Sequence, residues 1–286
     1  MPASLTDQNL RNSEQETAAS PSIGARQPVI EMCDISKVFK TQAGNFSALK
    51  GITTFFYSGE FVSVVGKSGS GKSTLVNMLT GIDHPTSGYV MIHGIPIHEL
   101  SESRMSIWRG QSLGIVFQFF QLLPMLTILE NIMLPMDLSE RYPLKERPER
   151  ANTLLKLVGL EDVADMLPGA ISGGQQQSAA IARALANDPP ILVADEPTGN
   201  LDSHAAEAIF DIFTQLAGSG KTIIMVTHDP ALARRTSRTL LLSDGKLVDP
   251  HSPDYRRWLD EILDISQEIP SAAASPRPDL KDDSGS

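Results

Sequence analysis

The amino-acid sequence predicts an α/β fold in which a mostly parallel sheet is flanked by helices. The first observation is a strand–loop–helix unit, where apolar residues 61–65 lead through a glycine-rich loop into a helical run at 72–79. The second is the alternation of strand-like and helical segments before residue 118 and after residue 190, which is typical of parallel sheets. The third is an all-helical stretch between these two halves, which predicts an inserted helical subdomain at about 119–187.

Hydrophobic periodicity and turn residues place the individual elements. Strands are predicted over residues 29–35, 48–57, 61–65, 89–93, 114–117, 191–194, 222–226 and 239–242. Helices are predicted over residues 72–79, 101–111, 150–158, 178–187, 204–217, 230–236 and 254–265. The early strands indicate a small antiparallel β part near the N-terminus, with a polar loop at 41–45. Five prolines are expected to punctuate the helical stretch, namely Pro124, Pro135, Pro143, Pro148 and Pro168.

The two ends of the chain differ from its middle in composition. Residues 1–28 are rich in Ser, Ala, Gln and Asn and carry little apolar periodicity, so we expect a disordered tail. The main domain is predicted over residues 29–250. A C-terminal extension follows over 251–286, and its Ser/Pro/Asp-rich part after residue 269 is expected to be mostly disordered.

Composition and charge exclude several classes of protein. A content of 41% hydrophobic and 20% charged residues is typical of a globular domain with a sizeable core. The net charge of −10 disfavours binding to nucleic acid. No apolar run approaches the roughly 18–20 residues that span a bilayer, and we find no secretory signal. The single Cys33 excludes an internal disulfide and is expected to be a small core residue, so these features favour the cytosol.

The glycine-rich loop fits the phosphate-binding pattern G-x-x-x-x-G-K-[ST]. Gly66, Gly69 and Gly71 let the backbone curl closely around a ligand, so that successive N–H groups form a nest for an anion. Lys72 can reach the β- and γ-phosphates, and the Ser73 hydroxyl can ligate Mg²⁺. The alternative is a Gly/Ser-rich turn without a ligand. Because kinases, G proteins, helicases and transporter motors share this loop, it predicts nucleotide binding but leaves the reaction open.

Two carboxylates follow the buried strand 191–194. The carboxyl ends of parallel strands are where open α/β sheets bind ligands, so we expect Asp195 to hold Mg²⁺ there. Glu196 is placed to polarise a water molecule for attack on the γ-phosphate. The alternative is a solvated strand end or a helix cap.

Two further polar residues end buried strands. Gln118 follows strand 114–117 and could contact Mg²⁺ or the attacking water without adding charge. His228 follows strand 222–226 and could donate a hydrogen bond to the γ-phosphate. Taken alone, each residue fits an ordinary strand end or a capping, solvated side chain equally well.

A second candidate anion site lies about 100 residues after the first. Ser172 and the following glycines, Gly173 and Gly174, open a helical run, with Gln175 next in the chain. Two phosphate cradles in one chain suggest that each completes the other's site in a partner subunit. A plain helix N-cap is the alternative.

Six motifs in this order resemble those of the ATP-binding subunit of an ABC transporter. They are the Walker A motif at 66–74, the Q-loop glutamine at Gln118, the LSGGQ signature at 171–175, Walker B at 191–196, the D-loop at 199–202 and the switch histidine at His228. The runs GIVFQFFQLLP, LENIMLP and ADEPTGNLD are similar to one branch, which comprises lipoprotein-release, macrolide-export and cell-division ATPase subunits. Three positions depart from the pattern, because Ile171, Ala170 and Ser178 replace a Leu, a common acidic residue and a common Arg.

The resemblance implies a P-loop ATPase that binds two ATP molecules and Mg²⁺ in a head-to-tail homodimer. It implies nucleotide contacts from Phe39, Gly66, Lys67, Ser68, Gly69, Ser70, Gly71, Lys72, Ser73, Thr74, Ser172, Gly173, Gly174, Gln175 and Asp202. Among these, the Phe39 ring would stack on adenine, although a core phenylalanine is the alternative. Catalytic roles are implied for Glu196, His228 and Gln118. Metal ligation is implied for Ser73, Gln118 and Asp195.

We therefore expect an ATPase subunit that powers a separate integral membrane permease, in export or in extrusion of a lipoprotein, lipid or peptide. It would lie peripherally on the cytoplasmic face of the inner or plasma membrane. The first alternative is an ATPase regulator that signals through a membrane partner, as the cell-division branch does. The second is a soluble ABC ATPase of DNA repair or translation, which fits poorly because the chain has neither a long coiled coil nor tandem cassettes.

Overall fold

The computed structural model describes residues 27–42 and 44–258 of the chain. Its strands are β1 (Pro28–Thr41), β2 (Gly44–Tyr57), β3 (Phe61–Val65), β4 (Ser87–Ile92), β5 (Ile95–Pro96), β6 (Leu113–Val116), β7 (Ile191–Asp195), β8 (Thr222–Val226), β9 (Arg238–Ser243) and β10 (Lys246–Leu247). Its α-helices are α1 (Lys72–Thr80), α2 (Glu102–Ser112), α3 (Ile128–Ser139), α4 (Arg147–Leu157), α5 (Gly173–Ala184), α6 (Ser203–Gly218) and α7 (Pro230–Ala233). The predicted disordered regions lie outside the described residues, except for the end of the N-terminal tail.

Four strands form an antiparallel sheet in the order β2-β1-β4-β5, which confirms the predicted antiparallel part near the N-terminus. Strands β1 and β2 pair from Pro28 opposite Tyr57 to Thr41 opposite Gly44. The predicted strand boundaries and the loop at 41–45 are wrong, because backbone pairing continues through this polar sequence as far as the tight turn. The long hairpin brings residues of β2, among them Phe46 and Ala48, beside the glycine-rich loop.

The second sheet has six strands in the order β10-β9-β3-β8-β7-β6, and every pair is parallel except β9 with β10. Residues of β7 are buried on both faces, as parallel sheets covered on both sides require. Strands β3, β8 and β7 are neighbours, so their carboxyl ends meet at one edge. The glycine-rich loop, the 195–196 carboxylates and His228 all follow these ends. The predicted α/β class is confirmed.

Two buried clusters cover the faces of this sheet. One joins the sheet to α6 and to the helices between β6 and β7, and the rings of Phe61 and Phe210 stack within it at 5.3 Å between centroids. The other joins the sheet to α1, α2 and the antiparallel sheet, and it contains Phe56 and Leu75. Strand β3, which leads into the glycine-rich loop, thus packs on both faces, through Phe61 on one side and Val62 and Val64 on the other.

The chain between β6 and β7 contains helices α3, α4 and α5 and no strand. A capping box starts α3, since the Thr127 hydroxyl accepts from Glu130 N and the Glu130 carboxylate accepts from Thr127 N. Pro135 lies inside α3, so the prediction that it punctuates the helices is wrong. The helix continues because Ile132 and Met136 on either side are fully buried in the core. The exact bounds of a separate subdomain stay a prediction.

The described chain ends in a short helical segment at 253–258 that packs back onto the fold. Tyr255 and Trp258 contact a small cluster that contains Val65 at the end of β3. The remainder of the helix predicted at 254–265 lies outside the described residues. Helix α7 ends before the predicted residue 236, because the Thr236 hydroxyl donates to Ala233 O at 2.8 Å and caps it early. Over the described ranges, no helix combines the length and apolar character that a membrane crossing needs.

Candidate active site

The glycine-rich loop joins the end of β3 to the start of α1 and lies directly against two other strands. A Cβ on Gly66 would be 2.2 Å from Leu242 O in β9, and a Cβ on Gly71 would be 2.7 Å from Ala48 O in β2. The φ angle of Gly71 is 106°, which an L side chain rarely adopts. Neighbouring backbone therefore restricts both positions to glycine and fixes the curl of the loop.

Two side chains of the loop turn inward. Lys72 is only 8% exposed, and its Nζ donates to Gly66 O at 2.9 Å and to Lys67 O at 3.2 Å. Ser70 Oγ is buried and has no hydrogen-bond partner among the described residues. A buried polar atom without a protein partner is unusual, and a water molecule, an ion or a ligand can complete it. The loop offers a cation, a hydroxyl and the N-terminus of α1, which together suit an anion.

Asp195 is the last residue of β7, and its Oδ1 atom is buried without a partner in the described part of the chain. Burial raises the pKa of the Asp195 carboxyl, while the neighbouring Ser73 hydroxyl and the Lys72 charge lower it and Glu196 raises it further. The carboxylate thus faces the two loop side chains that sequence analysis assigned to the phosphates and to Mg²⁺. Its free oxygen suits a cation.

Glu196 has a φ of 48°, which is uncommon for a residue other than glycine. Its N–H donates to Val226 O at 2.9 Å, and its carbonyl accepts from Gly199 N at 3.1 Å, so both neighbours hold this turn. The turn brings Glu196 Oε2 to 3.5 Å from Nδ1 of His228, which lies two residues beyond the end of β8. A carboxylate and an imidazole therefore meet beside the loop.

An open cleft of about 630 Å³ joins these groups. Its walls are formed by the loop, Glu196, His228, Phe46 and Ala48. Sequence analysis missed Phe46, which is 56% exposed although it is a large aromatic side chain. Phe39 is not among the lining residues, but it pairs directly across from Phe46 in the hairpin, so both rings lie on the same face of the sheet. The hairpin register was the signal that could have identified Phe46.

Gln118 lies two residues beyond β6, beside the turn that follows Glu196. A Cβ on Gly199 would be 3.2 Å from Gln118 Nε2, and Gln118 O accepts from Asn200 Nδ2 at 3.2 Å. The amide is thus packed on the 199–200 turn and is not part of the cleft wall in this structure. Asp202 at the end of that turn caps α6, because its carboxylate accepts from Ala205 N at 2.9 Å.

The second glycine pair forms the start of α5, which begins at Gly173 rather than at the predicted residue 178. Ser172 Oγ accepts from Gln175 N at 3.2 Å, and Gln175 Oε1 accepts from Ser172 N at 2.9 Å. This capping box leaves the first N–H groups of the helix directed outward. The turn does not line the cleft of its own chain. Ser178 makes no side-chain hydrogen bond within the described residues, so the structure offers no account of the missing arginine.

Known proteins share this arrangement. Residues 49–199 match the family described as ABC transporter. The chain is 47% identical over 215 residues to the lipoprotein-releasing system ATP-binding protein LolD of Aquifex aeolicus, an alignment that covers 75% of this chain and 94% of that protein. It is 36% identical over 265 residues to the macrolide export ATP-binding/permease protein MacB of Hyphomonas neptunium, with 88% of this chain and 41% of that protein covered.

A solved structure has the same fold. The dimeric post-hydrolysis state of the ATP-binding cassette MJ0796, bound to ADP and Pi, aligns with a TM-score of 0.72 and 42% sequence identity. The alignment covers 77% of this chain and 97% of that chain. The same overall fold is therefore found in an ATP-binding cassette that was captured with ADP and Pi.

Proposed function

Since this chain belongs to the ABC transporter family of ATP-binding subunits, we propose that it hydrolyses ATP as a homodimer and powers a separate integral membrane permease. The observation that carries the proposal is the meeting of the glycine-rich loop, Glu196 and His228 in one cleft. Export, or extrusion of a lipoprotein, lipid or peptide, is the role that the names of the relatives support. Because LolD and MacB are transport proteins by name, the signalling alternative is not favoured.

The loop binds the phosphates of ATP. Lys72 exchanges the carbonyls of Gly66 and Lys67 for β- and γ-phosphate oxygens, which relieves a buried ammonium held only by neutral acceptors. Ser70 Oγ gains the partner that it lacks. The backbone N–H groups of residues 67–74 and the N-terminus of α1 complete the cradle. Phe46, together with Phe39 across the hairpin, provides the apolar face on which adenine stacks.

The residues at the strand ends fit Mg²⁺, which the family implies. Asp195 Oδ1 is buried and unpaired, and it lies beside the Ser73 hydroxyl. Hard oxygen ligands of this kind suit Mg²⁺, which binds through one or two carboxylates together with phosphate oxygens. We assign the ion to Ser73, Asp195 and Gln118. Mg²⁺ when bound neutralises charge on the phosphates as they react.

Glu196 acts as the general base. Its carboxylate is 23% exposed at the cleft wall, so it can accept a proton from a water molecule directed at the γ-phosphate. His228 Nδ1 at 3.5 Å orients that carboxylate and can donate its own hydrogen bond toward the phosphate. The left-handed backbone of Glu196 costs about 1–3 kcal/mol, and such strain is typical of active-site turns. The strain has a function here, because it directs the carboxylate into the cleft.

The turn at residues 172–175, in which Ser172 is exposed and the next three residues are half-buried, completes the site of a second copy. It presents the N-terminus of a 12-residue helix and lies outside its own cleft. A γ-phosphate bound to the partner's loop would accept hydrogen bonds from Ser172 and from the Gly173 and Gly174 N–H groups. Gln175 and Asp202 lie at the same dimer face in this proposal. ATP would then join the two copies, and hydrolysis would separate them.

The permease docks on the helical side of the molecule. A cavity of about 500 Å³ lies between α2, α3 and α5, and its rim carries Ile107 at 64% and Leu138 at 78% exposure. Exposed apolar side chains around a groove mark interaction surfaces. Docking there would hold the subunit peripherally on the cytoplasmic face of the inner or plasma membrane.

Two measurements test this function. The purified chain should release phosphate from Mg-ATP, and Glu196→Gln should bind ATP with little turnover. Glu196→Gln removes the charge but keeps the size of the side chain. Glu207→Gln makes the same change at an exposed glutamate and is the matched control. Co-purification from membranes should then identify one integral protein. Wild-type turnover in Glu196→Gln would refute the base assignment, and a chain that associates with no integral protein would refute the transport role.

A further inference from the structure

The segment at residues 117–121, which carries Gln118, has no regular secondary structure. One arginine holds its far end. Arg183 Nη2 donates to Phe120 O at 3.0 Å, and Arg183 Nη1 donates to Gln121 O. A planar guanidinium that donates to two neighbouring carbonyls fixes their relative direction, which a lysine cannot do. The φ of 49° at Gln121 shows that the backbone turns sharply at the residue whose carbonyl Arg183 holds.

Two other side chains hold the near end of the same segment. Gln177 Nε2 donates to Phe117 O at 3.4 Å, and Asn200 Nδ2 donates to Gln118 O at 3.2 Å. Side-chain donors thus hold the carbonyls on both sides of Gln118, where a strand would have used backbone pairing. Gln177 belongs to α5, as Arg183 does, so this one helix supplies most of the hydrogen bonds that hold the segment.

Arg183 is held by carbonyls rather than by carboxylates. It forms no ion pair within the described residues, and burial lowers the pKa of its guanidinium. Arg183 is partly buried, and removing the hydrogen-bond partners of such a cation is costly, so the helix and the segment separate only with difficulty. Arg183 and the two carbonyls therefore behave as one unit when the helix moves.

Helix α5 is also the helix that begins with the Ser172 turn. Because an α-helix of 12 residues is rigid, Arg183 and the turn move together. The Phe120 ring adds a contact at the same end, since its Cζ atom lies 3.6 Å from the position of a Cβ on Gly173. The turn that meets the partner's nucleotide is thus linked to the segment that carries Gln118.

We propose that Arg183 is a positioning residue, which sets Gln118 at the nucleotide site by holding the carbonyls of Phe120 and Gln121. The proposal rests on the function proposed above. Its consequence is that Gln118 reaches the cleft only when the Ser172 turn has moved with its helix toward a bound nucleotide.

Arg150 provides a matched control. It also donates to two backbone carbonyls of the helical region, those of Leu185 and Ala186, but these lie just beyond the far end of α5. Arg183→Met and Arg150→Met keep the apolar stem of each arginine and remove the guanidinium group that donates to two carbonyls. Arg183→Lys keeps the charge but can hold only one carbonyl in a fixed direction.

The first readout does not depend on ATP hydrolysis. A nitroxide label is attached to Phe119→Cys, a position that is 69% exposed, in a chain with Cys33→Ser. Without nucleotide, Arg183→Met should raise the mobility of the label, and Arg150→Met should leave it unchanged. Equal mobility in Arg183→Met and the parent would overturn the proposal even if the protein proved to have no ATPase activity.

The second readout is a kinetic split. Arg183→Met should lower kcat by about 10- to 100-fold, because a displacement near 1 Å has that effect, while KM for ATP stays within about 2-fold. Arg183→Lys should lie between, and Arg150→Met should match the parent. In a Gln118→Ala background, Arg183→Met should have no further effect on kcat. The positioning role would be overturned if Gln118→Ala and Arg183→Met lowered kcat independently, so that their effects multiplied. It would also be overturned if Arg183→Met and Arg150→Met lowered kcat equally. An inactive parent would instead refute the proposed function.

Discussion

Gly71→Ala should abolish ATP binding while the fold survives, whereas Gly69→Ala should bind ATP more nearly as the parent does. Both glycines lie in the loop at positive φ, 78° for Gly69 and 106° for Gly71. They differ in their surroundings. A Cβ on Gly69 meets nothing within 4 Å, but a Cβ on Gly71 would lie 2.7 Å from Ala48 O and 3.0 Å from Leu49 Cδ2.

The structure sets the size of each effect. Holding alanine in either backbone conformation costs about 1–3 kcal/mol. At Gly71 the loop must also move away from Ala48 O, since ordinary contact begins at 3.4 Å. A domain stabilised by about 5–15 kcal/mol tolerates either cost. The Gly71→Ala loop, however, no longer presents its N–H groups in the geometry that the phosphates require.

The assay is thermal unfolding with and without Mg-ATP. At a ligand concentration 100 times Kd, binding adds about 2.7 kcal/mol, which raises the midpoint of a domain of this size by about 5–10 °C. The parent and Gly69→Ala should show this rise. Gly71→Ala should show almost none, although its midpoint without ATP stays within several degrees of Gly69→Ala. A full ATP-induced rise in Gly71→Ala, or its loss in both variants alike, would refute the steric argument.

Two further predictions concern the metal side and the adenine side of the cleft. Burial raises the pKa of Asp195 in the folded chain, so folding favours the protonated carboxyl. The free energy of unfolding therefore falls as pH rises from the ordinary pKa of an aspartate through the raised pKa of the folded state. Asp195→Asn should therefore unfold at a higher temperature than the parent near neutral pH without metal, with a smaller difference at acid pH, and it should lose the Mg²⁺-dependent gain from ATP. A lower midpoint at neutral pH would contradict this reasoning. Phe46→Ala should raise the Kd for ATP by about 5- to 150-fold, as stacking contributes about 1–3 kcal/mol, and leave the Kd for inorganic triphosphate unchanged. Phe39→Ala tests the facing ring in the same way. If the Kd for ATP is unchanged in both variants, the assignment of these rings to adenine is wrong.

The main elements of the site could be predicted because each follows a local pattern. The phosphate loop needs glycine at fixed spacing. Asp195 and His228 each come after an apolar run that predicts a buried strand. The parallel sheet then brings these strand ends together without further information. Local sequence and tertiary structure agree here, as they do wherever one residue pattern serves both.

The remainder depended on contacts between distant segments. Phe46 was missed because it lies between the predicted loop at 41–45 and the predicted strand at 48–57, whereas in the structure it pairs with β1 and lines the cleft. Pro135 stays inside a helix because buried neighbours outweigh its local cost. Arg183 gave no signal at all, since its partners lie 62 and 63 positions away in the chain. Such residues become visible only when the fold is known.

The central claim is that ATP is held between the glycine-rich loop of one copy and the Ser172 turn of another. The most direct measurement is the mass of Glu196→Gln in solution, by light scattering or sedimentation, with and without saturating Mg-ATP. The account predicts one chain without nucleotide and two chains with it, and Ser172→Arg in the same background should remain a single chain. A well-folded Glu196→Gln protein that stays a single chain at saturating Mg-ATP would contradict the account.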